Sequence, residues 1–133
     1  LLAHRDGHAV GEQSGYVARY DAAAKRIASQ LGVGEYRLAY QSRSGNPRDP
    51  WLEPDIREVV RAEAASGRRA LVVAPIGFVC DHVEVLFDLD VEALQIAKEV
   101  GILLERASSV TTHPAYIDAL AQTVLECVGR ASD

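Results

Sequence analysis

Four short apolar runs alternate with four longer segments of helical periodicity, and this alternation constrains the fold more than any other feature of the chain. The clearest run, "ALVVAPI" from Ala70, is β-branched and free of charge, the pattern of a strand covered on both faces. Leu1–Ala3 suits the end of a buried strand, Tyr36 to about Gln41 a short one, and "ILLER" at Ile102–Arg106 a fourth. In "SGYVARYDAAAKRIASQLG", Tyr16, Tyr20, Ala24, Ile27 and Leu31 recur at steps of three and four, and Gly32 supplies a stop. A second helix opens at Pro54 and Asp55, turns Ile56, Val59, Val60 and Ala64 inward, and ends near Gly67. A third is predicted from about Asp81 to Val100, before Gly101, and a fourth in "HPAYIDALAQTVLECV", with Pro114 in its first turn.

The order β-α-β-α-β-α-β-α implies an α/β fold: a three-layer parallel sheet with helices on both faces, joined by right-handed crossovers. At 133 residues it is expected to form one domain, residues 1–133. Ligands of such sheets sit at the carboxyl ends of the strands. Three loops converge there: His4 with its neighbours, the long loop "SRSGNPRDPWLEP" carrying Trp51, and Gly77–Asp81.

A formal net charge of -5, with no basic patch, argues against a nucleic-acid partner. Cys80 and Cys127 have neither metal-ligand spacing nor the makings of a disulfide framework, which points to a reducing compartment. No apolar run is long enough to cross a bilayer, no signal peptide opens the chain, and the sequence gives no indication of even loose membrane association. The expectation is a soluble, cytoplasmic protein. "LLAH" at the start reads like the tail of a strand, so the chain is expected to be a fragment or to start late.

Between Ala70 and Ala97 there are five carboxylates and no lysine or arginine. With Glu84 at zero on an α-helical wheel, Asp88 falls at about 40° and Glu92 at about 80°, with Asp81 near 60° if the helix includes it. Val83, Phe87, Val91 and Leu94 cluster on another side, at about 260–340°, as the expected core stripe. Like charges four residues apart cost about 0.2–0.5 kcal/mol per pair, which a solvated face normally offsets with interleaved lysines. Two readings stand: an acidic surface whose counter-charges come from elsewhere in the fold, or a row of oxygen ligands that lets a divalent cation pass. His82, just before the row, is expected to be a buried histidine orienting the loop in preference to a ligand.

"DPWLEPDI", then "PIGFVCDHVEVLFDLDVE", then "HPAYIDAL" together resemble the C-terminal half of ferrochelatase, the enzyme that inserts ferrous iron into a porphyrin in haem biosynthesis. "YQSRSG" and the spacing of the elements agree, and the resemblance runs from about Leu1 to Gly129. It implies that Glu84 is the active-site glutamate facing the porphyrin. Asp88 and Glu92 match the acids behind it, which guide or hold a second metal. The family's active-site histidine lies in a motif reading roughly S-A-H-S-x-P. His4 in "LLAHRDG" matches its Ala-His pair, but Arg5 and Gly7 replace the following Ser and Pro, which puts the local loop shape in doubt. Trp51 matches a tryptophan of the porphyrin-cleft wall, although a lone indole under a long loop also serves as a core plug.

The resemblance implies a lyase forming metal–nitrogen bonds, with catalytic groups His4 and Glu84, metal-handling groups His4, Glu84, Asp88 and Glu92, and Trp51 against the porphyrin. Ferrous iron enters as a substrate. Metallation requires stripping water from the ion and removing two pyrrole protons. An imidazole with a reference pKa of about 6.5 can take a proton or bind iron, and a nearby carboxylate can do the complementary work. Spacing does not decide between them. Arg43 and Arg48 are expected to be solvated rather than bound to propionates, His8 to lie on the surface, and His113 to serve capping and loop chemistry. Some family members carry an iron–sulfur cluster on cysteines after the last helix; this chain cannot supply four sulfurs, so none is expected.

Ferrochelatase in full has two similar lobes with the porphyrin between them, and this chain resembles one. The N-terminal lobe is absent, so three possibilities stay open: a fragment of a longer enzyme, a half-length chelatase that homodimerises, or a non-catalytic lobe that binds metal or tetrapyrrole.

Overall fold

The computed structural model describes residues 15–41 and 51–130. The expected strand at Leu1–Ala3, with His4 and His8, and the loop stretch containing Arg43 and Arg48 lie outside those residues.

Helix α1 (Tyr16–Leu31) stops where Gly32, at φ 66°, donates its N–H to the carbonyls of Ala28 and Ser29, a left-handed cap that glycine adopts without a Cβ penalty. Its inner face is smaller than expected: Ala28 is its buried residue, while Tyr16, Ile27 and Leu31 are exposed. The strand expected over Tyr36–Gln41 reduces to one parallel bridge, Tyr40 to Asp55, closed by Tyr40 N–H to Pro54 O and Ile56 N–H to Tyr40 O, both 2.9 Å. A strand forms only where a neighbour satisfies its backbone groups, and among the described residues the segment finds such a neighbour at this bridge alone.

Helix α2 (Ile56–Ala65) is capped by Asp55, whose carboxylate accepts the Arg57 N–H. Strands β1 (Ala70–Val73) and β2 (Leu103–Arg106) pair in parallel, from Ala70 opposite Leu103 to Val73 opposite Arg106. The described residues thus form a mixed α/β unit around a small parallel sheet. Its strands are not covered on both faces as "ALVVAPI" suggested: Val72 and Leu103 are exposed on one face, and Leu104 is buried on the other.

The third helix departs most from expectation. It starts at Val83, not Asp81, and runs as α3 (Val83–Val85), a π-helical stretch (Leu86–Ala93) and α4 (Leu94–Val100). A π-helix bonds i to i+5 and takes more residues per turn than an α-helix, so positions four apart stay nearly in line. The buried row is accordingly Val85, Leu89, Ala93 and Ala97. The expected stripe of Val83, Phe87 and Val91 is exposed, and Leu94 is half-buried. The inward row joins Ile56 and Val60 of α2 with Ile96, Ile102 and Leu104 to make the core. Burying each large apolar side chain contributes about 1.5–3 kcal/mol. The last helix, α5 (Pro114–Arg130), buries no residue and exposes Ile117, Leu120, Val124 and Val128. Among the described residues no helix is long and apolar enough to cross a membrane.

Candidate functional site at the sheet rim

The carboxyl end of β1 leads into Ala74–His82, the loop that delivers the acid-bearing helix. Pro75 is buried at its start. A cluster of Tyr16, Tyr20 and Tyr40 packs beside it, with Tyr16 and Tyr20 stacked at 6.0 Å and Tyr20 and Tyr40 tilted at 5.7 Å between centroids. A Cβ on Gly77 would meet the Tyr16 hydroxyl at 3.4 Å, so the cluster touches the loop closely. Burial pushes the Tyr20 phenol up to about 12. His82 is half-buried, less than the buried histidine expected there, and meets Phe78 edge-to-face at 4.6 Å.

Glu84 lies in the first turn of α3, exposed to solvent, and engages in no ion pair or hydrogen bond among the described residues. Asp88 and Glu92 follow it at steps of four, half-buried, between the exposed row of Val83, Phe87 and Val91 and the buried row of Val85, Leu89 and Ala93.

Two arginines missed by the sequence reading shape this row. Arg57, on α2, holds Asp55 with paired bonds of 2.8 and 2.7 Å and reaches Glu92 at 3.5 Å. The guanidinium is held charged above its ordinary range, chiefly by the bond to Asp55, with Glu92 and Asp88 adding to the effect. The far end of the row is therefore neutralised by a counter-charge from another element, as the first of the two readings of the acids expects for that position. Asp81 also leaves the row. It precedes the helix and is bound by Ser109 Oγ at 2.7 Å and Arg106 Nη1 at 2.9 Å. Its carboxyl is lowered below the ordinary value, first by the Ser109 hydroxyl and then by the Arg106 charge. Arg106 also grips Asp90 at 2.5 and 2.9 Å.

Three acids remain of the four. Among the described residues, no three histidine, cysteine or acidic side chains stand close enough to hold a metal ion together. The row can relay or weakly bind a hydrated cation; it is not a preformed chelate.

Trp51 is half-buried and donates its indole N–H to Gln41 O at 3.3 Å, which fixes the ring at the start of the loop into α2. His113 sits at the start of α5 as expected of a capping residue: its Nδ1 accepts the Ala115 N–H at 3.3 Å. A cavity of about 450 Å³ opens between the 33–41 segment, α1 and β1, lined by Leu38, Ala39 and Gln41 on one side and Leu71, Val72 and Val73 on the other. The buried amide nitrogen of Gln41 has no partner there among the described residues.

These features define an α/β lobe whose sheet rim delivers a helix bearing the exposed Glu84, unpaired among the described residues, with the half-buried Asp88 and Glu92 in line behind it. The ferrochelatase family model matches residues 3–128. The chain belongs to the ferrochelatase family. A ferrochelatase of Rhodopirellula baltica is 39% identical over 134 residues, covering 100% of this chain and 38% of that protein. The coproporphyrin III ferrochelatase of Streptomyces coelicolor is 46% identical over 127 residues, covering 95% of this chain and 33% of that protein. That of Geobacillus thermodenitrificans is 42% identical over 119 residues, covering 89% and 37%. The chain thus spans little more than a third of the length of these relatives.

Proposed function

We propose that this lobe supplies the metal- and proton-handling half of a ferrochelatase, which inserts ferrous iron into a porphyrin in haem biosynthesis. The observation that carries the proposal is Glu84: a solvent-facing carboxylate, unpaired among the described residues, at the sheet rim of a ferrochelatase-family chain, followed at four-residue steps by Asp88 and Glu92. The coproporphyrin named in two of the relatives above makes a coproporphyrin the preferred substrate class.

Insertion exchanges two pyrrole protons for one Fe²⁺, so the site needs a proton acceptor and oxygen or nitrogen donors that replace the ion's water. In the proposed arrangement Glu92 and Asp88 draw the hydrated cation along the helix, and Glu84 meets it at the porphyrin face. His4 stands opposite and shares proton removal and iron delivery with Glu84. Trp51, fixed through its indole N–H, forms part of the porphyrin wall.

The element order supports completing this α/β unit as a three-layer parallel sheet with helices on both faces, in which His4 belongs to the loops at the carboxyl ends of the strands.

The rest of the cleft comes from a second lobe, in the same polypeptide or in another copy of this one. The exposed row of Val83, Phe87 and Val91, flanking the acids, favours a covering surface of that kind. The test is to mix the purified chain with Zn²⁺ or Fe²⁺ and free-base coproporphyrin and to follow the visible spectrum. Turnover by the chain alone assigns a second copy as the other lobe, turnover only within a longer two-lobed polypeptide supports the fragment reading, and a stoichiometric shift that stops there with both lobes present assigns a binding lobe.

A further inference from the structure

We propose that Arg106 is a positioning residue: by gripping Asp81 and Asp90 at once, it keeps the wide-turned helix in the register that presents Glu84 and Asp88. The inference rests on the reading of those two acids given above.

The start of α3 lacks the usual fastening. His82 occupies the cap position without a side-chain bond to the helix, and Leu86 N–H to His82 O, at 3.1 Å, closes the first turn. Few sequences hold more than a single π turn, and such turns gather at functional sites. Something outside the helix therefore has to fix both its entry and its pitch. Arg106 is built to do so. It closes β2, with a side chain only 17% exposed. Its Nε and Nη2 take both oxygens of Asp90, its Nη1 takes Asp81, and Nη1 also reaches Ala107 O at 3.2 Å. The two carboxylates bracket Glu84 and Asp88 in sequence.

The platform beneath is itself fixed. Ser109 is buried and bonds Asp81. Thr111, a β-branched residue at φ 39°, is held by its N–H to Val79 O and its hydroxyl to Ser109 O, both 2.8 Å. Backbone strain of this kind persists only where surrounding contacts over-determine it. The loop after β2 thus docks on the loop after β1, and Arg106 passes that docking on to the helix. Lysine keeps the charge but cannot offer a planar fork to two carboxylates.

The test compares Arg106→Lys and Asp90→Asn with the parent chain by hydrogen exchange and by metal insertion. Amides of 83–93 are expected to exchange at least tenfold faster in both variants while those of β1 and β2 are unchanged. Insertion kcat should fall at least tenfold with the porphyrin KM within twofold. Ser109→Ala, which loosens only Asp81, should confine faster exchange to 81–86. Unchanged exchange over 83–93 overturns the latch, and faster exchange with unchanged kcat overturns the positioning role. Insertion is assayed with the second lobe present, in the longer polypeptide or as the dimer; if that assembly inserts no metal the proposed function is overturned, and the exchange data still decide whether Arg106 holds the helix.

Discussion

Arg57 Nη1 stands 3.5 Å from Glu92 Oε2, so the acid row that begins at the exposed Glu84 ends against a cation. Neither side chain is deeply buried, at 39% and 37% exposure, and the pair is the looser of the two that Arg57 makes. A cation arriving at Glu92 competes with that guanidinium.

Removing the competitor should strengthen cation binding at that end. Arg57→Gln is expected to raise Zn²⁺ affinity about 3–10-fold, the equivalent of about 1 kcal/mol for a partly exposed pair. Isothermal titration at low and high salt checks this, and the gain should shrink as salt rises.

Glu84→Gln separates chemistry from folding. The side chain is exposed and makes no bond among the described residues, so the melting temperature should stay within about 2 °C. Metal insertion, by contrast, should drop about 100-fold or more, the usual scale for loss of a group that handles a proton. A variant that turns over like the parent removes Glu84 from the mechanism.

The inward row of the π stretch carries the stability. Leu89, 3% exposed, sits in that row, and Leu89→Ala should cost about 2–5 kcal/mol in a urea titration. Leu120→Ala, on the exposed face of α5, should cost less than about 0.5 kcal/mol in the same chain.

Asp81 should reveal itself in acid. Its folded carboxyl is lowered by Ser109 and Arg106, so its contribution is full above the unfolded value of about 3.9. That contribution disappears as pH falls through the depressed folded value. Below about pH 4 the parent should therefore lose stability more steeply than Asp81→Asn, with the two curves parallel above it. Denaturant midpoints taken from pH 6 to pH 2 test the difference.

At the alkaline end, Tyr20 should be the last tyrosine among those described to ionise, at about 12. Because burial favours the neutral phenol, its stabilising effect holds below the unfolded value of about 10 and is lost as pH rises toward the folded one. Ultraviolet titration of Tyr20→Phe should lack that last step.

The helices and the strands at Ala70 and Leu103 were readable from periodicity and punctuation: Gly32 and Gly101 do end helices at left-handed caps, and Asp55 does cap α2, whereas the strand expected over Tyr36–Gln41 is one bridge and that at Leu1–Ala3 lies outside the described residues. The inner face of the third helix was not readable, because a wheel at 100° per residue assumes an α-helix, and the i to i+5 pitch carries Val85 and Leu89 inward in place of Val83 and Phe87. The positions of Glu84, Asp88 and Glu92 on one side survive that error, since four-residue steps stay nearly aligned in either helix. Arg57 and Arg106 were missed for another reason. Each comes from a different element, and only tertiary packing brings α2 and the end of β2 against the acids. Arg106 left one faint trace, as a charge closing an apolar strand at the end where ligands bind.

The broad pitch of Leu86–Ala93 also limits how this protein can vary in length. Trimming one residue there would let the coil tighten to the ordinary α-helical winding. Because Ala93 and Ala97 are anchored in the interior, that tightening would nearly absorb the loss and leave Glu84 close to its heading, whereas one added residue would rotate everything upstream by roughly a quarter turn. Descendants of this sequence can exchange the outward side chains Leu86, Phe87 and Val91 more readily than Leu89 or Asp90, but gaining a single residue in the stretch would turn the glutamate away from its target.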